Sequence, residues 1–431
     1  MANALHVNPA MIKFEVKKMD LTKEFPESPF EPGHPVSPNK FKGRKKDIIK
    51  MIRYLPKVIN KGIPEHFFIT GKRGMGKTSF VKYIGSLAED NYQMAHIYVN
   101  NEGTNTIDEL IQNLVEKMFK EFNKETWGKK IINSFVDNLD EINIKGVGIS
   151  LKNKPELVGN IKNNFADFLI NTCKELKDKK GIFIVIDDIN GLSNTPDFAN
   201  WYKGLFETLD FDQESIPVSF TLVSYQNKFE QLCYQNPSFT RIFNLIEIDH
   251  LDDEDIKEFY LDTFNEFNIK FTEDEFLNEM VYYSWGMPLI MQQIGDAVFW
   301  NSLDGEIDKD NAYSGIINAA VELGNKQIRN KLNKIKSHYY MGILCKLGEN
   351  AKMEFTKSEV KEFLSSDELR VFDDFLKRMR DLDIIESIGK ENSGEYAFVN
   401  RLYFVYFLII ANLGDISKID MFQNMLLNNE L

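Results

Sequence analysis

The octapeptide Gly71-Lys72-Arg73-Gly74-Met75-Gly76-Lys77-Thr78 fits the pattern G-x-x-x-x-G-K-[ST]. No other stretch of the chain constrains the fold as strongly. Glycines at these spacings let the backbone curl so that its N–H groups converge on phosphate oxygens. The geometry works only between a strand and the N-terminus of a helix, whose positive dipole end completes an anion site. Both flanks are present: the apolar run His66-Phe67-Phe68-Ile69-Thr70 reads as a buried strand. Beyond the motif, Phe80, Val81, Ile84 and Leu87 mark one side of a helix. In this setting Gly71 to Ser79 line the phosphates. Lys77 reaches the β- and γ-phosphates, and the Thr78 hydroxyl is a ligand for Mg²⁺.

Two further strands read clearly. Met94 to Val99 is one, and Gly181-Ile-Phe-Ile-Val-Ile186-Asp187-Asp188 is the other. A continuous apolar run suits a central parallel strand, covered on both faces. Val218 to Ser224 and Asn244 to Ile248 supply a fourth and a fifth strand. Strands alternating with amphipathic helices predict an α/β fold with a parallel sheet. From Asp252 onward the periodicity is helical, with capping boxes expected at Thr272…Glu275, Thr356…Glu359 and Ser365…Glu368. A helix is expected from about Asn311 to Lys334. The last hundred residues read as three helices and a β-hairpin over Ile384–Ile388 and Tyr396–Val399, a winged-helix pattern. The expected organisation is an extended Pro-rich arm over 1–40, a core over 41–250, a helical lid over 251–336 and a winged-helix-like domain over 337–431. Pro26, Pro29, Pro32, Pro35 and Pro38 mark the arm as extended. It is either a linker or a strap near the nucleotide base. Within the core, the Gly-containing alternation from Ile142 to Leu151 predicts a β-hairpin inserted at about 120–160.

Asp187 closes the central strand where a phosphate-binding core carries its Mg²⁺-shell carboxylate. Asp188 follows in the place of a residue that activates water. Ser224, at the end of the fourth strand, is placed to touch the γ-phosphate or that water. Arg241 precedes the fifth strand and reads either as a finger supplied to a neighbouring subunit or as an ordinary surface arginine. Gly286-Met287-Pro288 opens a lid helix. It is either plain helix-start chemistry or a loop that meets the nucleotide. Asp188-Ile-Asn-Gly191 and Asn227-Lys228-Phe229-Glu230 resemble guanine-reading motifs. Glu230 stands where an Asp would contact the base, which argues for ATP over GTP.

Taken in order, Phe41-x-Gly43-Arg44, the 71–78 loop, Asp187-Asp188, Arg241 and Gly286-x-Pro288 resemble the AAA+ ATPases of the origin-recognition-like, archaeal-ATPase and STAND type. The resemblance implies an ATP-driven switch using ATP and Mg²⁺. Lys77 and Thr78 would hold phosphate and metal, Asp187 the metal and Asp188 the water. Arg241 would be the finger or sensor, and Gly286 and Pro288 the nucleotide-facing lid loop. It also implies an oligomer or a protein partner, with two alternatives: a DNA-binding initiator, or a nucleotide-retaining scaffold in a defence or signalling complex.

Charge bears on the DNA alternative. The chain carries a net charge of −13, so nucleic acid would need a local basic patch. Residues 337–431 hold 11 Lys and Arg against 16 Asp and Glu, net −5, which disfavours DNA there. Cys173, Cys233 and Cys345 show no pairing pattern, and the six histidines no metal-ligand spacing. The N-terminus lacks a long apolar stretch, and the apolar run Leu402–Leu413 is too short to cross a bilayer. A cytoplasmic protein with no membrane partner is expected.

Overall fold

The computed structural model describes residues 26–122, 151, 154–176, 178–211, 215–332, 334–335, 337–389 and 393–413. They divide into two compact units, one spanning Pro35–His250 and the other joining the segment up to His34 with Leu251 onward.

The first unit is built on five strands: β1 (Glu65–Thr70), β2 (Met94–Asn100), β3 (Gly181–Asp187), β4 (Val218–Val223) and β5 (Asn244–Glu247). Their order is β2-β3-β4-β1-β5 and every pairing is parallel. β1, β3 and β4 are buried at every position, which is why they read as unbroken apolar runs. The helices are α1 (Lys45–Ile52), α2 (Leu55–Lys61), α3 (Lys77–Tyr92), α4 (Ile107–Phe122), α5 (Pro155–Asn163), α6 (Phe165–Glu175), α7 (Pro196–Phe211), α8 (Gln226–Gln235) and α9 (Phe239–Ile242). One apolar periodicity runs through α5 and α6, but the chain breaks at Asn164, whose side-chain amide donates to the Asn160 carbonyl. The core beneath β1 is aromatic. His66 stacks on Phe220 and its Nδ1 meets the Tyr202 hydroxyl at 2.8 Å. Burial pushes the His66 pKa down to about 3, so the ring stays neutral. The hairpin expected over Ile142–Leu151 falls, but for Leu151, outside the described residues.

The second unit is mainly helical: α10 (Asp253–Glu266), α11 (Asp274–Ser284), α12 (Pro288–Asn301), α13 (Lys309–Leu323) and α14 (Arg329–Leu332). The helix expected over 311–334 is interrupted, because a π-turn spans Gly324–Ile328. The capping box expected at Thr272…Glu275 does not form. Strands β6 (Lys270–Phe271) and β7 (Glu306–Ile307) pair in parallel, and this ladder draws the Thr272 N–H and hydroxyl onto the Ile307 carbonyl. Glu273 is left as an N-cap without a side-chain bond. Residues 26–34 of the arm also belong to this unit. Phe30 is buried against Phe259, Tyr260 and Phe264, and the Glu31 N–H donates to Gln292 Oε1.

The chain then runs α15 (His338–Glu349), β8 (Glu354–Thr356), α16 (Lys357–Lys361), α17 (Ser366–Asp381), β9 (Ile385–Ile388), β10 (Glu395–Phe398) and α18 (Arg401–Leu413). The three strands form an antiparallel sheet in the order β8-β10-β9. Both capping boxes expected here are present, at Thr356 with Glu359 and at Ser365 with Glu368. Among the described residues no helix is long and apolar enough to cross a membrane.

Candidate functional site

The parallel strands end together, and the side chains that follow β1, β3 and β4 meet at that edge. After Thr70 the chain turns through Gly71, Gly74 and Gly76, with φ of 145°, 83° and 79°. A Cβ on Gly71 would lie 2.3 Å from the carbonyl oxygen of Ile248, the residue that follows β5, so the chain there closes against the loop and only glycine fits. Gly76 is the left-handed N-cap of α3. No side chain caps that helix and its first turn carries no acidic residue. Lys72 and Arg73 are exposed on the loop, while Met75 is buried. Arg44, itself buried, donates to the Met75 carbonyl at 2.8 Å and holds the loop from below. Ser79 Oγ accepts the Val36 N–H, and Phe41 stacks on Tyr83, so Pro35–Phe41 lies along α3.

Lys77 Nζ folds back on the loop, donating to the carbonyls of Gly71 at 2.7 Å and Lys72 at 2.9 Å. It also sits 4.8 Å from the centre of the Tyr225 ring. Burial lowers its pKa to about 8, against Asp187 and Asp188, which favour the charged form. Thr78 Oγ1 donates to Asp187 Oδ2 at 2.7 Å. The Tyr98 hydroxyl, from β2, donates to the same oxygen at 2.8 Å. Burial raises the Asp187 carboxyl above its usual range, although both hydrogen bonds pull the other way. Burial and then the adjacent Asp187 charge push the Tyr98 phenol upward, so it keeps its proton and donates.

Asp188 adopts a left-handed conformation, φ 60° and ψ 63°, and caps the 3₁₀ turn Ile189–Asn194. Its Oδ1 accepts from the backbone N–H and the side-chain amide of Asn190. Asn190 Oδ1 in turn accepts the Tyr225 N–H, tying the end of β3 to the end of β4. Ser224 is buried there, donating to the Tyr225 carbonyl. Lys77, Thr78, Asp187, Asp188 and Ser224 therefore share one edge of the sheet.

Arg241 does not join them. The register pairs Asn244 with Phe67, near the start of β1, whereas the loop follows Thr70. Arg241, three residues before Asn244, is exposed at the opposite edge of the same sheet. Gly286 and Pro288 belong to the other unit. Trp285 and Gly286 are both left-handed, the Gly286 carbonyl accepts the Leu251 N–H, and Pro288 opens α12. The Asn227-Lys228 pair falls in the first turn of α8, where Lys228 Nζ donates to Asn194 Oδ1.

The donor set fits an anionic nucleotide with a hard divalent cation. A glycine cradle and a helix N-terminus without a side-chain cap suit phosphate oxygens. Thr78 gives its proton to Asp187, which leaves the lone pairs of its oxygen for a metal. Among the described residues no cluster of three or more His, Cys, Asp or Glu could hold a metal by itself. Phosphate oxygens would have to complete the shell. Arg44, Tyr98 and Asn190 are the residues that sequence reasoning gave no role. The resemblance contained Arg44 by name, whereas Tyr98 and Asn190 act through contacts between strands.

Residues 47–294 match a family described as an ATPase domain predominantly from Archaea. No curated protein sequence matches the chain significantly. Among solved structures, the ORC2 protein of Aeropyrum pernix in its ADPNP–ADP complexes is similar, with a TM-score of 0.58 and 11% identity over 92% of this chain and 97% of that one. Its ADP form gives a TM-score of 0.50 and 11% identity over 90% and 96%. Cdc6p of Pyrobaculum aerophilum gives 0.45 and 14% identity over 86% and 94%. The ORC2 likeness is one of fold alone. The family match covers more than half of the chain, including the whole loop, Asp187 and Asp188. This chain belongs to the ATPase family found predominantly in Archaea and is a nucleotide-binding P-loop ATPase.

Proposed function

We propose that the protein is a Mg²⁺-dependent ATP switch that completes its active site with a neighbouring copy of itself. The observation that carries this reading is the 2.7 Å hydrogen bond from Thr78 to Asp187, which joins the phosphate loop to the tip of β3. Lys77 neutralises the β- and γ-phosphates, Thr78 and Asp187 hold Mg²⁺, and Asp188 orients the attacking water. Ser224 stands beside that water at the end of β4. Mg²⁺ when bound withdraws charge from the phosphates, and the residues around it fix where it sits. Arg241, at the far edge of its own sheet, serves the phosphates of an adjacent subunit. Residues 251–336 make up a helical lid that carries the Gly286-Met287-Pro288 helix start, and 337–431 a winged-helix-like domain.

That last domain is better suited to protein than to DNA. Lys357 pairs with Asp373 at 2.8 Å and Arg370 with Asp367 at 3.1 Å. Arg380 donates to the Leu376 carbonyl and the Ser387 hydroxyl. In the two ion pairs a carboxylate stands beside each cation, so a DNA phosphate would meet negative charge as well as positive.

The test is ATP hydrolysis measured over a range of protein concentrations for wild type, Lys77→Ala, Asp188→Asn and Arg241→Ala. Wild-type activity per molecule rises with concentration, and each variant alone loses at least about 100-fold. Mixing Lys77→Ala with Arg241→Ala restores activity, because the first supplies the arginine that the second lacks. Activity per molecule independent of concentration, with no restoration on mixing, would refute a site shared between copies.

A further inference from the structure

We propose that Tyr98 is a positioning residue for the metal, holding the Asp187 carboxylate in the orientation that receives Mg²⁺. The proposal rests on the reading of Asp187 as the metal-holding carboxylate.

The argument begins with the register. Tyr98 pairs with Val185 and Asn100 with Asp187, so Tyr98 and Asp187 share one face of the sheet, on neighbouring strands and two residues apart. Two residues of strand correspond to about 6.6 Å along the chain, and the strands lie about 4.8 Å apart. Few side chains span that diagonal and end in a donor. Tyrosine does, and its hydroxyl lies 2.8 Å from Asp187 Oδ2.

The ring is held in place. Lys82 Nζ, one turn along α3 from Thr78, lies 5.0 Å from its centre, and His96 meets it edge-on from the same strand. The donor is therefore rigid and comes from the sheet rather than from the loop.

This differs from the bond made by Thr78. Thr78 belongs to the loop that closes around phosphate, so its hydroxyl must serve both Asp187 and the metal. Tyr98 lies on β2, outside that loop. It fixes Oδ2 before nucleotide arrives, and a carboxylate fixed in advance loses less rotational freedom when a cation binds. Partners of this kind, one step removed from the metal, typically contribute 10- to 100-fold in metal affinity.

The experiment is a Mg²⁺ titration of fluorescent ATP binding to wild type, Tyr98→Phe and Asp187→Asn, with parallel titrations in EDTA. Tyr98→Phe keeps the ring and removes one oxygen. We expect it to need about 10- to 100-fold more Mg²⁺ for the half-maximal effect. Its affinity for nucleotide in EDTA stays at the wild-type value, and a single cooperative melting transition shows that it folds. A wild-type Mg²⁺ requirement in Tyr98→Phe, while Asp187→Asn loses its Mg²⁺ dependence, overturns the role of Tyr98 and leaves the reading of Asp187 standing. Equal weakening with and without Mg²⁺ means general damage to the loop and also overturns it. If Asp187→Asn keeps the wild-type Mg²⁺ dependence, the reading of Asp187 falls, and the role of Tyr98 with it.

Discussion

Helices α3 and α17 are both 16 residues long and begin in opposite ways. At α17 the N-terminus is satisfied from within. Ser365 accepts the Glu368 N–H, Glu368 accepts the Ser365 N–H, and Asp367 adds a second carboxylate to the first turn. At α3 the cap is a left-handed glycine with no side chain to offer, and the first turn carries Lys77 and Thr78 instead of an acid. The same backbone dipole is neutralised by the chain's own carboxylates in one place and left for a ligand's phosphates in the other. The shorter α16 repeats the first solution with Thr356 and Glu359. The difference separates helix ends that serve stability from one that serves binding.

The sharpest way to break this comparison is to give α3 a carboxylate of its own. Gly76→Asp places an acidic side chain at the N-cap, where the phosphates are expected. Asp tolerates the left-handed conformation better than most residues do. The expected outcome is a loss of about 100-fold or more in ATP affinity, at least ~2.7 kcal/mol, measured with a fluorescent ATP analogue. Wild-type affinity in a folded Gly76→Asp protein would mean that the helix terminus does not bind the phosphates.

A smaller effect is expected at α17. Glu368 is buried and serves three donors: the Ser365 N–H, the Ser365 hydroxyl and Lys346 Nζ at 2.6 Å. Burial alone would raise its carboxyl, but these donors outweigh it and hold it below the usual range. Glu368→Gln keeps the shape and removes the charge. It should destabilise the protein by about 1–3 kcal/mol in urea unfolding, because Lys346 loses its charged partner. Nucleotide affinity should not change.

The contrast between the two helix ends was largely legible in the sequence. The loop could be read because its glycines and Lys77 have fixed spacing, and β1, β3 and β4 because burial on both faces leaves an unbroken apolar run. The two C-terminal boxes could be read because a box needs only residues three apart. Thr272…Glu275 has the same spacing and failed, since pairing of β6 with β7 took the Thr272 hydroxyl first. Local signals hold until a partner distant in sequence competes for the same atoms. The short strand β8 escaped notice for that reason too, because Glu354–Thr356 is a strand only by pairing with β10. Tyr98 and Asn190 touch the site through register and loop packing, which no spacing encodes. The position of Arg241 away from Lys77 follows from the parallel register of β5 on β1, which puts the residues before β5 at the end of the sheet where β1 begins.

The smallest expected effect also carries a sign in pH. In the α16 box, Glu359 Oε2 accepts from the Thr356 N–H at 2.7 Å and from the Thr356 hydroxyl at 2.9 Å. Lys352 Nζ lies 3.2 Å from Oε1. The bonds from Thr356, first the backbone and then the hydroxyl, lower the Glu359 pKa to about 2. A carboxyl whose folded value lies below its unfolded one stabilises the fold while it is ionised in both states. That contribution is fully present above the ordinary glutamate value of about 4.3 and is lost as pH falls through about 2. Thr356→Ala removes the hydroxyl and one of the two reciprocal bonds. It should cost about 1 kcal/mol at neutral pH. It should also flatten the decline in stability between those two pH values, because less of the shift remains to be lost. Urea midpoints for both proteins at neutral pH and across the acid range decide it. Parallel acid limbs would show that the Thr356 hydroxyl does not contribute to the ionised state of Glu359.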